Sequence, residues 1–103
     1  MTDEYQVEKA FRGISQRLAV HYLRNLEGRP IVDGVEHAAE SDVESEGVSE
    51  VVGDGWEATL DSKKVNPAGS LMLTEVSVTF VGEPDAVDPV VKAFSQKAMR
   101  AGG

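Results

Sequence analysis

Residues 71–81 alternate between apolar and polar side chains. Leu71, Leu73, Val76, Val78 and Phe80 are apolar, whereas Thr74, Glu75, Ser77 and Thr79 are polar. A period near two marks a strand with one face in a core and the other in water. The period slips around Thr74-Glu75, which reads as a β-bulge. A strand wetted on one side belongs to a sheet covered on one face only, and such sheets are characteristically antiparallel. The same alternation recurs upstream, where Trp56, Ala58 and Leu60 interleave with Glu57, Thr59 and Asp61. Val48 to Val52 reads as a further short strand. Gly53-Asp54-Gly55, Asn66-Pro67-Ala68-Gly69 and Gly82-Glu83-Pro84 supply turn chemistry.

Helical periodicity flanks the strands. Phe11, Ile14, Leu18, Tyr22 and Leu26 step by three and four, which predicts an amphipathic helix over 4–26, stopped by Gly28 and Pro30. Val87, Val91, Phe94 and Ala98 predict a second helix over 85–100. Pro89 would lie in its first turn, and Asp85 or Asp88 would cap it. Lys92, Lys97 and Arg100 place cations toward its C-terminal dipole. At 103 residues the chain has enough length for one domain and one core. The expected architecture is α+β and two-layered. An antiparallel sheet of three to four strands carries an N-terminal and a C-terminal helix on one face.

The net charge of −8 is concentrated. Residues 33–54 hold Asp33, Glu36, Glu40, Asp42, Glu44, Glu46, Glu50 and Asp54 and no Lys or Arg, while the rest of the chain is neutral. Such a field repels nucleic acid and resembles the acidic surfaces of halophile proteins. Residues 33–46, polar and without aromatics, read as an acidic mobile loop. The absence of cysteine removes disulfides, thiolate metal sites and a thiol nucleophile. No stretch reaches the roughly 20 apolar residues of a membrane span. The acidic start Met1-Thr2-Asp3-Glu4-Tyr5 does not read as a signal peptide, so a cytoplasmic protein is expected.

Little in the chain points to catalysis. His21 reads as a boundary residue of the first helix, and His37 as a solvated loop residue that at most joins a weak metal site with Glu36 and Glu40. No phosphate-binding glycine loop, nucleophile elbow or calcium loop is present. An enzyme is not expected, nor a bound metal or cofactor. Trp56 reads first as a core anchor and second as a ligand contact. Lys97 and Arg100 near the C-terminus, with Arg17 on the first helix, are candidate partner-docking groups beside their capping role. The sequence finishes Ala101-Gly102-Gly103. Glycines without Cβ can enter a narrow channel and present a final carboxylate for activation by ATP, or can simply cap the last helix.

Three segments together are familiar: Phe11 to Leu23, Gly53-Asp54-Gly55-Trp56, and Phe94 to Gly103. They resemble the C-terminal domain family of MoaD-related molybdopterin-biosynthesis proteins, discussed with the haloarchaeal ubiquitin-like small archaeal modifiers. The resemblance covers most of the chain outside 33–52, and Lys97-Ala98-Met99-Arg100-Ala101-Gly102-Gly103 is its most specific part. It implies a ubiquitin-like modifier or sulfur carrier, activated at Gly103 after Gly102 by an E1-like or MoeB-like enzyme that uses ATP. The carboxylate would then pass to a target-protein lysine or take sulfur as a thiocarboxylate. The alternative is a non-catalytic accessory domain of the same pathway. The alternative fold is a ubiquitin-like β-grasp, which runs hairpin, helix, strands and lets its tail leave a strand. The pattern here opens with a helix and reaches Gly102-Gly103 through another.

Overall fold

Eight elements follow one another: β1 (Tyr5–Arg12), α1 (Gln16–Arg24), β2 (Arg29–Val32), β3 (Val35–Glu36), β4 (Glu50–Gly53), β5 (Trp56–Ala68), β6 (Leu71–Gly82) and α2 (Pro84–Gly102). They belong to a computed structural model that describes residues 4–102, the side chains of Pro67, Ala68, Ala101 and Gly102 apart. The strands form one six-stranded sheet in the order β1-β6-β5-β4-β2-β3, antiparallel at every pairing. The α+β class therefore holds, with six strands where three to four were expected. The element order begins strand-helix rather than hairpin-helix, and Gly102 ends a helix, so the order is not that of a β-grasp.

The largest correction lies at the N-terminus. Residues 4–26 are not one helix: residues 5–12 are a strand that pairs along its whole length with β6. Tyr5, Val7 and Phe11 alternate with Gln6, Glu8 and Arg12, a period-two pattern that shares Phe11 with the helical stripe. Gly13 then takes φ 91°, and its N–H donates to the Thr74 carbonyl. Ser15 caps α1 by accepting the Leu18 N–H at 3.0 Å. The helix starts where that cap can form.

Register explains the core. Val76, Val78 and Phe80 on β6 stand level with Phe11, Lys9 and Val7 on β1. On the other side, Leu60 and Ala58 face Val78 and Phe80, and Val51 of β4 faces Ala58. These positions share one face by the two-residue period. Their buried side chains join Ala19, Val20 and Leu23 of α1 and Val87, Phe94 and Ala98 of α2 in one cluster. Phe94 sits at its centre, edge-on to Phe11, Phe80 and Tyr22 with centroids 5.3, 5.7 and 6.3 Å away. Such edge-to-face pairs add about 0.5–1.5 kcal/mol each beyond area burial.

The anticipated bulge at Thr74-Glu75 is absent, because register runs unbroken from Val65↔Leu73 to Trp56↔Gly82. The slip in the sequence marks a change of face. Leu73 shares the outer face with Glu75 and Ser77, whereas Val76 points into the core. The irregularity lies instead between Val65 and Ala68, so Asn66-Pro67 belongs to β5 and not to the turn. Proline is tolerated there because β4 pairs with β5 no further than Thr59.

Candidate functional site

The C-terminal segment is placed by α2. Pro84 occupies the first helical position, where its missing N–H costs nothing. Pro89 therefore falls in the second turn rather than the first. Asp88 does not cap the helix; it accepts the Tyr5 hydroxyl at 2.7 Å and pins α2 to β1. That carboxylate holds the Tyr5 phenol protonated above its usual range. From Gly82, α2 runs back along the sheet, past Phe80 and Phe11 at Phe94, and on toward the end where β1 stops and α1 begins.

Ala98 is the last core residue of α2 among the described side chains, 2% exposed. Met99, the next residue, is 67% exposed, and Arg100 is exposed as well. Gly102 is the last helical residue. The other half of the proposed reactive tail, Gly103, lies outside the described residues.

The docking candidates divide between the two ends. Lys97 on α2 holds its ammonium 6.0 Å from the Tyr22 ring centroid, a cation–π distance that joins α2 to α1. Arg100 follows one turn later. Arg17, exposed in the first turn of α1, lines a groove of about 660 Å³ together with Glu46, Lys63, Lys64 and Thr74. Arg17, Lys63 and Lys64 therefore share one groove, while Lys97 and Arg100 follow on the last turns of α2. Trp56 does not join them. It starts β5 at the opposite end and is only 7% exposed. A Cβ on Gly53 would collide with its indole, and one on Gly28 would sit 2.6 Å from Val51 Cγ1.

Two features escaped the sequence reading. The first is Arg24, on the last turn of α1. Its guanidinium donates to the Ala39 carbonyl at 2.9 Å, the Ser41 carbonyl at 2.6 Å, the Val43 carbonyl at 2.7 Å and Ser45 Oγ at 3.0 Å. One side chain thus fastens the acidic loop expected to be mobile, and its positive charge sits among Glu40, Asp42 and Glu44. Gln16 adds a bond to the Val48 carbonyl at 2.6 Å. The second is the length of the β5–β6 hairpin, whose outer residues carry Leu71 and Met72 in the open, 52% and 55% exposed. At its base Glu75 accepts from Arg12 at 3.1 Å and lies 3.6 Å from Lys63. The Arg12 bond first, and Lys63 second, hold the Glu75 carboxyl below its usual range.

His21 is exposed beside Tyr22, and the His37 N–H donates to the Pro30 carbonyl. Among the described residues, no three His, Cys, Asp or Glu side chains converge on a metal position. No described helix is long and apolar enough to cross a membrane.

Residues 7–103 match the family described as archaeal MoaD-like protein. The chain belongs to that family. The match runs from Val7 in β1 through the other five strands, both helices and the Gly102-Gly103 ending of this MoaD-like chain. No curated protein and no solved structure gives a significant match.

Proposed function

We propose that this MoaD-like chain is a small modifier or sulfur carrier, activated at the Gly103 carboxylate by an ATP-dependent E1-like or MoeB-like enzyme. The family match across residues 7–103 carries this reading. The helix that leads into the tail is compatible with it. Among the described side chains, core packing ends at Ala98. The segment beyond Ala98 can therefore extend without taking a described side chain out of the core, and five extended residues reach roughly 17 Å. Adenylation joins the carboxylate to the α-phosphorus of ATP and expels pyrophosphate. Attack by a lysine amine then expels AMP and gives an isopeptide, and attack by sulfide-level sulfur expels AMP and gives a thiocarboxylate.

The test is intact mass after incubation with ATP and the cognate activating enzyme. A gain of an adenylyl group, or the replacement of oxygen by sulfur, is expected. An unchanged mass, together with full cellular activity of a chain lacking Gly102-Gly103, would sink the proposal.

The helical state of Gly102 favours a second reading, an accessory binding domain of the same pathway in which the glycines terminate α2. Under that reading, deleting Gly102-Gly103 leaves partner binding and cellular activity intact.

A further inference from the structure

Beyond Lys64 and Thr74, where Gly13 makes the last contact, β5 and β6 form a two-stranded ribbon that no other described strand pairs with. Pairing with β1 begins at Glu75, and pairing with β4 stops at Thr59. Within this ribbon the apolar residues change face. Val65 and Leu73 stand opposite each other on the outer side, the side that is polar from Glu75 to Thr79. Leu71 shares that side, and Met72 takes the other. Four large hydrophobic side chains are conspicuously exposed among the described residues, and three of them (Leu71, Met72 and Met99) lie at this end of the molecule.

Charge is partitioned the same way. Arg17, Lys63 and Lys64 line the groove at the base of the ribbon together with Glu46, Arg12 meets Glu75 there, and Lys97 and Arg100 follow on the last turns of α2; these are six of the ten bases in a chain of net charge −8. Among the described residues, only Arg12 and Lys63 are engaged by a carboxylate there, both by Glu75, and Lys64 donates to the Thr74 hydroxyl at 3.0 Å. A surface that needed only solubility would not combine exposed Leu and Met with unpaired cations at one pole of an acidic protein.

We infer that the β5–β6 ribbon, with the last turns of α2, is the docking surface for a protein that presents an apolar cleft rimmed by carboxylates. Leu71 and Met72 enter the cleft while Lys64, Arg17 and Arg100 meet the rim. The acidic segment 33–54 repels such a partner, so the charge pattern sets orientation as well as affinity. The C-terminal segment leaves from the same pole and is thereby delivered to whatever the partner holds beside its cleft. The inference rests on the reading above, in which the partner is the activating enzyme. An anionic bilayer fits less well, because a flat negative surface also faces the acidic flanks.

The experiment uses the full chain and the cognate activating enzyme, with binding followed by calorimetry and activation by adenylate formation. Leu71→Asp/Met72→Asp is expected to weaken binding about tenfold or more, as loss of apolar contacts at an interface centre does. Lys64→Glu/Arg100→Glu is expected to weaken it and to flatten its salt dependence. All four positions are exposed, so both variants keep the thermal midpoint of the unaltered chain. A chain without Gly102-Gly103 is expected to bind normally and form no adenylate. Unaltered binding and activation of both surface variants would overturn the inference while leaving the activation proposal standing. Normal, variant-sensitive binding of a chain that is never adenylated would overturn the activation proposal alone. Failure of the unaltered chain to bind the enzyme, or loss in the same variants of binding to phosphatidylglycerol vesicles alone, would also overturn the inference.

Discussion

Replacing Arg24 by Met keeps the aliphatic stem and removes the guanidinium that gathers residues 39–45. Three backbone carbonyls and one hydroxyl lose a donor, at distances of 2.6 to 3.0 Å. A hydrogen bond from a charged donor contributes about 1.5–3 kcal/mol when its acceptor is left dry. Residues 39, 41, 43 and 45 are half-buried, so water can replace part of what is lost. Roughly 0.5–1.5 kcal/mol per carbonyl is then the appropriate scale, giving about 2–4 kcal/mol for the clamp. That free energy governs opening of the loop, not of the sheet. Amide hydrogen exchange reads it directly through Ser41 and Val48, whose N–H groups donate to the carbonyls of Ala38 and Ser45 within the loop. At 1.4 kcal/mol per decade, their protection should fall roughly 30- to 1000-fold. Amides of β5 and β6 between Trp56 and Gly82 should be little affected. Ser41 and Val48 exchanging at the same rate with and without Arg24 would refute the clamp. So would equal losses in loop and sheet, which would make Arg24 part of the global core.

Three further changes probe the fold. Gly53→Ala drives a methyl group into the Trp56 indole and should cost about 1–3 kcal/mol in urea unfolding, with Trp fluorescence shifted in the native state. The Ser95 hydroxyl is buried without a partner, so Ser95→Ala should leave stability unchanged or raise it by up to about 1 kcal/mol. Glu75 is ionised more readily in the folded chain than in the unfolded one. Its stabilising effect is therefore complete above the ordinary glutamate range and fades as pH falls through its lowered folded value. Glu75→Gln should remove that segment of the acid-unfolding profile.

Elements whose own residues carry the pattern were legible. Strand β4, the first part of β5, most of β6 and α2 announce themselves by alternation or by a three-four step. Strand β1 did not, because Phe11 fits both periods and Lys9 occupies an inward position, breaking the alternation. Its partner β6 begins some 60 residues later in the chain, and local composition carries no trace of that pairing. The ribbon was hidden by Asn66-Pro67, which reads as a turn wherever strands are paired on both sides and is harmless where one side is open. At the candidate site, Gly102, Lys97, Arg100 and Arg17 were read from residue type and position. The exposed apolar face was not, since Leu71 and Leu73 look like core residues until register puts them opposite Val76. The Arg24 clamp lies beyond such reading altogether, because its acceptors are mostly main-chain carbonyls and any sequence supplies those.

Whether the last turn of α2 is structural or releasable decides between the two functional readings, and Ala101→Pro separates them. Proline at 101 has no N–H to donate, crowds the carbonyl four residues earlier and pushes Arg100 away from helical backbone. It forces open the turn that activation would need open. Met99 and Arg100 are exposed, so unwinding them takes no described side chain out of the core. Helix propagation near unity means that undoing these few residues costs on the order of 1 kcal/mol or less. If α2 beyond Ala98 is releasable, the thermal midpoint should fall by no more than about 4–8 °C, the equivalent of 1 kcal/mol in a domain of this size. If Gly102 closes the helix as a structural cap, proline should instead cost about 3 kcal/mol and lower the midpoint by more than 10 °C. Stability is the right readout, since a proline in the tail also changes what can enter an enzyme channel. A large loss would remove the premise that residues 99–103 can extend, and with it the reach on which activation at Gly103 depends.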